Sequence, residues 1–461
     1  TVSVLAGNGA TTAPTVTTQP DGTVEISVTS QMAGTSAVTA SINSSSQSGD
    51  VTFIADASTA QIADLVVIKD GSEADGSTAN TLRARVTDAF GNALAGQTVS
   101  VTADNGATLS PTVITGPDGT VEISVTSQTA GASTVTASIN SSSQSRNVTF
   151  IADVRTAQIA SLEVRQDNSV ADGAMANTLR VKVTDAFGNA LAGQTVSVMA
   201  GNGATVAPTV ITEPDGTVEI SVTSQTAGIS TVTATINSSS QSRDVTFIAD
   251  VRTAQIADLV VIKDGSEADG STANTLRARV TDAFGNTLAG QTVSVLGGNG
   301  ATTAPTVITG PDGTVEISVT SQTAGISVVT ASINSSSQSR DVTFIADVRT
   351  AQIADLVVIK DGSVADGATA NTLQVKVTDA NGNALAGQTV SVMAGNGATT
   401  APTVTTQPDG TVEISVTSQT AGTSVVTASI NNSSQSQNVT FVPGDASQLT
   451  STVETNKSNY T

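Results

Sequence analysis

Residues 214–224 read Pro-Asp-Gly-Thr-Val-Glu-Ile-Ser-Val-Thr-Ser, a tight turn that runs straight into a strict alternation. Val218, Ile220 and Val222 are apolar, whereas Thr217, Glu219, Ser221 and Thr223 between them are polar. A period of two is what a strand with one buried and one wet face demands, because successive side chains point to opposite sides of a sheet. Pro214 fixes the first backbone angle of the turn and Gly216 accepts a positive φ. The segment therefore predicts a turn followed by a half-buried antiparallel strand.

The same eleven residues begin again at Pro20, Pro117, Pro311 and Pro408, so that the five copies stand 97 residues apart without an insertion. Residues 60–92 recur unchanged at 254–286, and the full repeats that start at Ala60 and Ala254 differ at nine of 97 positions. A period of this length is too long for the short units of solenoids and propellers, and it suits a β-sandwich domain of about 100 residues.

Within the copy that starts at Ala157, alternation recurs along Leu179–Val183, Val218–Val222, Val232–Ile236 and Val245–Phe247, with weaker runs at Ile159–Arg165, Gln194–Val198 and Thr205–Ile211. These make about seven strands. Turn chemistry separates them at Ala171-Asp172-Gly173, Phe187-Gly188-Asn189, Gly201-Asn202-Gly203, Pro214-Asp215-Gly216 and Ala227-Gly228. The fold expected is all-β, a tandem of immunoglobulin-like two-sheet sandwiches set end to end as a rod.

Phasing on Ala-Gln-Ile-Ala, at Ala60, Ala157, Ala254 and Ala351, gives a partial repeat over 1–59 that lacks its N-terminal strands. Full repeats follow over 60–156, 157–253, 254–350 and 351–447, and a divergent repeat is expected to start over 448–461. Since Thr1–Val4 matches Thr98–Val101, the chain reads as a piece of something longer. Strands of 8 to 10 residues at ~3.3 Å per residue make each domain roughly 40 Å long, and the array on the order of 200 Å. Junctions such as Val154-Arg155-Thr156 contain neither Gly nor Pro, which leaves little slack.

Composition restricts what such an array does. Aromatic residues are 2% and charged residues 12% of the 461, so the cores must be built from Val, Ile, Leu and Ala. The net charge of −21 repels nucleic-acid phosphates and anionic lipid. There is no Cys, hence no disulfide and no thiol nucleophile, and no His, which removes the commonest general base and metal ligand together. The sequence reads as non-enzymatic, with no catalytic residue and no cofactor assigned. No apolar run approaches the ~20 residues of a membrane helix.

Four loop carboxylates, Asp172, Asp185, Asp215 and Asp250, would suit a hard cation at domain junctions. No Asp-x-Asp-x-Asp-Gly loop occurs, and each stands apart from the others, so they read first as turn formers and no metal is assigned. Phe90, Phe187 and Phe284 recur in the string Asp-Ala-Phe-Gly-Asn, as a contact for a ligand or as packing within the domain; Asn381 takes this place in the last full copy. The triplets Asn43-Ser44-Ser45 and Asn147-Val148-Thr149 match the glycosylation sequon, a pattern that polar loops produce by chance.

Ala74–Val101 (ADGSTANTLRARVTDAFGNALAGQTVSV), Pro117–Ile139 (PDGTVEISVTSQTAGASTVTASI) and Val148–Asp153 (VTFIAD) together resemble the bacterial Ig-like group 1 domain of the intimin and invasin family. The resemblance implies an inverse autotransporter, whose outer-membrane β-barrel holds tandem Ig-like domains outside the cell, with a receptor-binding tip in some members. Neither barrel nor tip is found in this sequence. What is implied is the structural stalk of a cell-surface adhesin, anchored through a barrel elsewhere. Its partners would be neighbouring repeats of the same chain and, through regions beyond this fragment, a host-cell or bacterial surface receptor. Two competing readings are a multivalent module whose repeats bind a surface ligand themselves, and a linker array in a secreted enzyme or phage surface protein.

Overall fold

A computed structural model describes residues 1–445; the divergent repeat expected over 448–461 lies outside the described residues. The chain divides into two compact units, Thr1–Ile248 and a second that begins at Ala249. Apart from four single 3-10 turns, every regular element among the described residues is a strand.

The repeat from Ala157 contains nine strands: β1 (Gln158–Gln166), β2 (Ser169–Val170), β3 (Asn177–Thr184), β4 (Thr195–Ala200), β5 (Thr205–Val206), β6 (Thr209–Ile211), β7 (Thr217–Thr223), β8 (Gly228–Ile236) and β9 (Ser239–Ile248). One sheet has the order β1-β3-β7-β5 and the other β2-β9-β8-β4-β6. All neighbours are antiparallel except β2 and β9, which run parallel.

The seven runs expected from alternation are present, and two features raise the count to nine. Pro208 has no N–H to give a ladder, and the Thr205–Ile211 run divides there between the two sheets, the Pro208 carbonyl accepting from Val198 N at 2.9 Å. Strand β2 is too short to show a period. It is held instead by Asn177, which is fully buried: its Oδ1 accepts from Ser169 N at 2.9 Å and its Nδ2 donates to Thr246 O at 2.9 Å.

Alternation decides what enters the core. Leu179, Val181 and Val183 from β3 and Ile220 and Val222 from β7 face Val196, Val198, Val232, Ala234, Val245 and Phe247 from the other sheet. Phe247 is the one aromatic ring in this core and is 2% exposed. Burying each such side chain contributes roughly 1.5–3 kcal/mol. Equivalent cores form around Phe150, Phe344 and Phe441.

Gly216 is required by its surroundings. Its φ is +75°, and a Cβ there would stand 2.7 Å from Val183 O and 3.0 Å from Leu191 N. The turn that opens the quoted motif thus lies flat on the end of β3, where Val183 N donates to Gly216 O at 2.8 Å.

Residues 1–59 form one four-stranded sheet, ordered Thr15–Val16, Val2–Ala6, Gly34–Ile42 and Ser45–Phe53, with a two-stranded pair beside it. The counterparts of β1 to β3 are absent from this stretch. Ile26, which corresponds to fully buried Ile220, is only half-buried here.

Candidate functional site at the repeat junctions

The side chains that do most between elements collect where one repeat hands over to the next. After the strand Ser142–Ile151, Asp153 caps a single 3-10 turn over Val154–Thr156, its Oδ1 accepting from Arg155 N at 3.0 Å and Arg155 Nε at 2.9 Å. These bonds, the Arg155 side chain first, hold the Asp153 carboxyl below the ordinary aspartate range against the opposing effect of burial. Arg155 also ion-pairs with Glu73 on the short edge strand Ser72–Glu73, so the linker is fastened to the repeat it leaves. Such an exposed pair stabilises little, because water screens it.

The incoming repeat presents the loop Asp185-Ala186-Phe187-Gly188-Asn189. Asp185 is fully buried. Its Oδ1 accepts from Phe187 N and Asn189 N, both at 2.9 Å, and its Oδ2 from Asn189 Nδ2 at 2.8 Å and from Asp153 N at 3.2 Å. So oriented, the Asn189 amide faces the previous repeat. Nδ2 donates to Gln128 O at 2.9 Å, and Oδ1 accepts from Ala130 N at 2.8 Å. Thr156 Oγ1 accepts from Ala186 N at 3.2 Å, and Gln158 Nε2 donates to Asp185 O at 3.2 Å.

The same geometry recurs within each unit. Asn92 donates to Gln31 O at 2.8 Å and accepts from Ala33 N at 2.8 Å; Asn383 does so with Gln322 O at 2.9 Å and Ala324 N at 2.8 Å. Asp88 and Asp379 take the place of Asp185. At Asp88, burial pushes the pKa up, but the Asn92 side chain and the N–H groups of Asn92, Asp56 and Phe90 outweigh it and the net shift is downward.

The four carboxylates considered for a cation are not gathered into one place. Asp172 accepts from Ala174 N and Met175 N, Asp215 from Thr217 N, and Asp250 from Arg252. Among the described residues no group of three or more acidic side chains is arranged to hold a metal ion. A carboxylate whose lone pairs already face N–H donors is a poor cation ligand, since those donors would be left without acceptors.

At the first junction the aromatic of the loop lies against the preceding repeat. Phe90, 60% exposed, lines a crevice of about 80 Å³ together with Met32, Ala33 and Ile54 of the preceding repeat. Where Asn381 replaces it, Nδ2 donates to Ala268 O of the preceding repeat at 2.8 Å. Of the sequons, Asn43 occupies a hairpin turn with φ +50° and Asn147 is exposed within a strand, opposite Thr134.

The bridging asparagine was not singled out in the sequence. The signal that finds it is internal: Asn92, Asn189, Asn286 and Asn383 hold one place in every full copy, while the neighbouring Phe gives way to Asn381.

A family match agrees with this architecture. The bacterial Ig-like domain (group 1) matches at residues 62–151, 159–248, 256–345 and 353–442, which is most of the chain. The chain belongs to the bacterial Ig-like group 1 family. Inverse autotransporter adhesin YeeJ of Escherichia coli (strain K12) is 33% identical to this group 1 array over 464 residues, 94% of the chain. The chain spans about a fifth (19%) of the length of that relative. Among solved structures, invasin, a bacterial integrin-binding protein, is 23% identical, with 82% of this chain and 79% of that one covered at a TM-score of 0.40. The Escherichia coli adhesin FdeC is 20% identical, with 64% and 100% covered at a TM-score of 0.42.

Proposed function

We propose that this group 1 array is a stalk segment of a bacterial cell-surface adhesin, one that carries a binding region away from the outer membrane and does no chemistry itself. The observation that carries the reading is the asparagine bridge. Asn189 joins main-chain groups of one repeat to a buried carboxylate of the next, and Asn92 and Asn383 repeat the arrangement. A spacer needs neighbours that resist bending, and a short linker without Gly, capped and tied at both ends, supplies that resistance. Relatedness to a protein named as an inverse autotransporter adhesin supports the surface location and the anchoring through a β-barrel outside this fragment.

The folding units in this reading are 60–156, 157–253, 254–350 and 351–447, each with its own core. The receptor, host or bacterial, is engaged by regions beyond these repeats. The family membership and the want of His and Cys both support a non-catalytic role.

Small-angle scattering on the chain tests the stalk. A maximum dimension on the order of 200 Å is expected from strand length and repeat number, and a compact value overturns the reading. In the full-length protein, deletion of two repeats is expected to lower attachment of cells to a surface while leaving the affinity of the isolated binding region unchanged.

A further inference from the structure

The outer face of the β1-β3-β7 sheet differs from its counterparts. In the other full repeats, β1 carries Val66 and Ile68, Val260 and Ile262, or Val357 and Ile359, all partly exposed. Here Glu163 and Arg165 occupy those positions, and Ser161 stands where the others have Asp64, Asp258 and Asp355.

Register brings these side chains beside those of β3, with Glu163 opposite Arg180 and Ser161 opposite Lys182, while Lys182 lies opposite Thr217 of β7. They surround a recess of about 270 Å³ that Asp215 and Thr217 complete. Glu219, opposite Arg180 in register, lies outside it. The charges of Glu163, Arg165, Arg180, Lys182 and Asp215 sum to one positive. The same positions, with the acidic residue that replaces Ser161, sum to zero in the repeats from Ala60 and Ala254 and to one negative in the repeat from Ala351.

The cations are not equally engaged. Arg180 Nη2 is bonded to Asp215 Oδ2 at 3.2 Å and Thr217 Oγ1 at 3.0 Å, which fixes the guanidinium at the rim. Arg165 pairs with Glu163 at 3.3 Å. Lys182 is exposed and makes no ion pair among the described residues.

We propose that this recess binds a carboxylate-bearing sugar, a uronate residue of an acidic polysaccharide, with Lys182 and Arg165 on its carboxylate. The reading is independent of the stalk role. With Glu219 beside Arg180 counted, the patch is neutral and still one charge more positive than in the repeats from Ala60 and Ala254, and Lys182, which makes no ion pair among the described residues, is the cation left to meet a single carboxylate. The lining offers the Ser161 hydroxyl as a donor and the Glu163 and Asp215 carboxylates as acceptors, which suits a ring of hydroxyl groups, while the Thr217 hydroxyl is committed to Asp215.

The test is surface plasmon resonance of the full chain over immobilised trigalacturonate, neutral trigalactose and polyglutamate. Binding to trigalacturonate alone is expected, weakened by salt. Lys182→Gln should cost about tenfold, the scale of one hydrogen bond to a charged group. The double variant Glu163→Val with Arg165→Ile installs the residues of the sister repeats, which fold with them, and should also lose at least tenfold. No binding, equal binding to trigalactose or polyglutamate, or variants that bind like the parent would overturn the proposal.

Discussion

Asn189 Nδ2 stands 2.9 Å from Gln128 O, 61 positions earlier in the chain, and so joins a loop of one repeat to the end of the repeat before it. The contact exists because the Asp185 carboxylate behind the amide leaves it one usable orientation, with Nδ2 shared between Asp185 and Gln128 and Oδ1 turned to Ala130 N. A buried charge thereby sets the direction of a bridge that no helix or ladder supplies.

Asn189→Ala removes two hydrogen bonds between repeats and leaves Asp185 one donor short. At roughly 1 kcal/mol for each neutral bond and more for the one to the carboxylate, a loss of about 2–4 kcal/mol in the coupling of the two repeats is expected. Calorimetry should show one transition of the parent split into two, while the repeat from Ala254 melts as before. Asn189→Asp should be worse than Ala, because a second carboxylate would face Asp185.

Gly216→Ala tests the turn that opens the repeated motif. The added methyl meets Val183 O, a backbone atom that cannot swing away, at a positive φ that Ala rarely adopts. A destabilisation of about 1–3 kcal/mol is expected, confined to one repeat. Gly188→Ala shares the positive φ but has no atom within 4 Å of the new Cβ, so hydrogen exchange should find it the milder of the two.

The sandwich was legible because period-two alternation and the Pro-Asp-Gly turns are local signals, and because the 97-residue period shows each of them several times. Strand β2 was not legible: two residues carry no period, and it depends on Asn177, eight positions from Ser169 and 69 from Thr246. The junction escaped for a related reason. Asp185 and Asn189 look like turn residues, which they are; that the amide also reaches another repeat depends on tertiary placement. The divided Thr205–Ile211 run could have been read from Pro208, since Pro interrupts a ladder wherever its N–H is needed.

Chelation should leave the melting temperature unchanged. Asp185 receives four N–H donors, and Asp250 is tied to the Arg252 side chain and backbone. A cation at Asp185 would have to displace those donors, leaving buried or half-buried N–H groups without acceptors at about 1–3 kcal/mol each, and one at Asp250 would have to displace the Arg252 guanidinium. Melting in EDTA and again in millimolar CaCl2 is the check, and a rise with calcium would show that a junction carboxylate can exchange its donors for the ion.

Acid should unfold the array where neutral pH does not affect it. With no His in the chain, no side chain of ordinary pKa titrates between about pH 5.5 and 8. The melting temperature should therefore be flat across that window. Several aspartates lie below the ordinary value of 3.8 in the folded state: Asp153 and Asp250 through the Arg155 and Arg252 side chains first, and Asp366, held down to about 2, through the Thr369 hydroxyl first. A folded-state pKa below the unfolded one means that the unfolded chain takes up protons more readily. The stabilisation is then complete above the unfolded value and is lost as pH falls through it toward about 2. Asp366→Asn abolishes that titration, so the repeat from Ala351 should lose less stability between pH 5 and pH 2 than the parent repeat, even if it starts lower. Melting curves followed across this range would decide the point, and an acid slope identical to the parent's would place the linkage in other carboxylates.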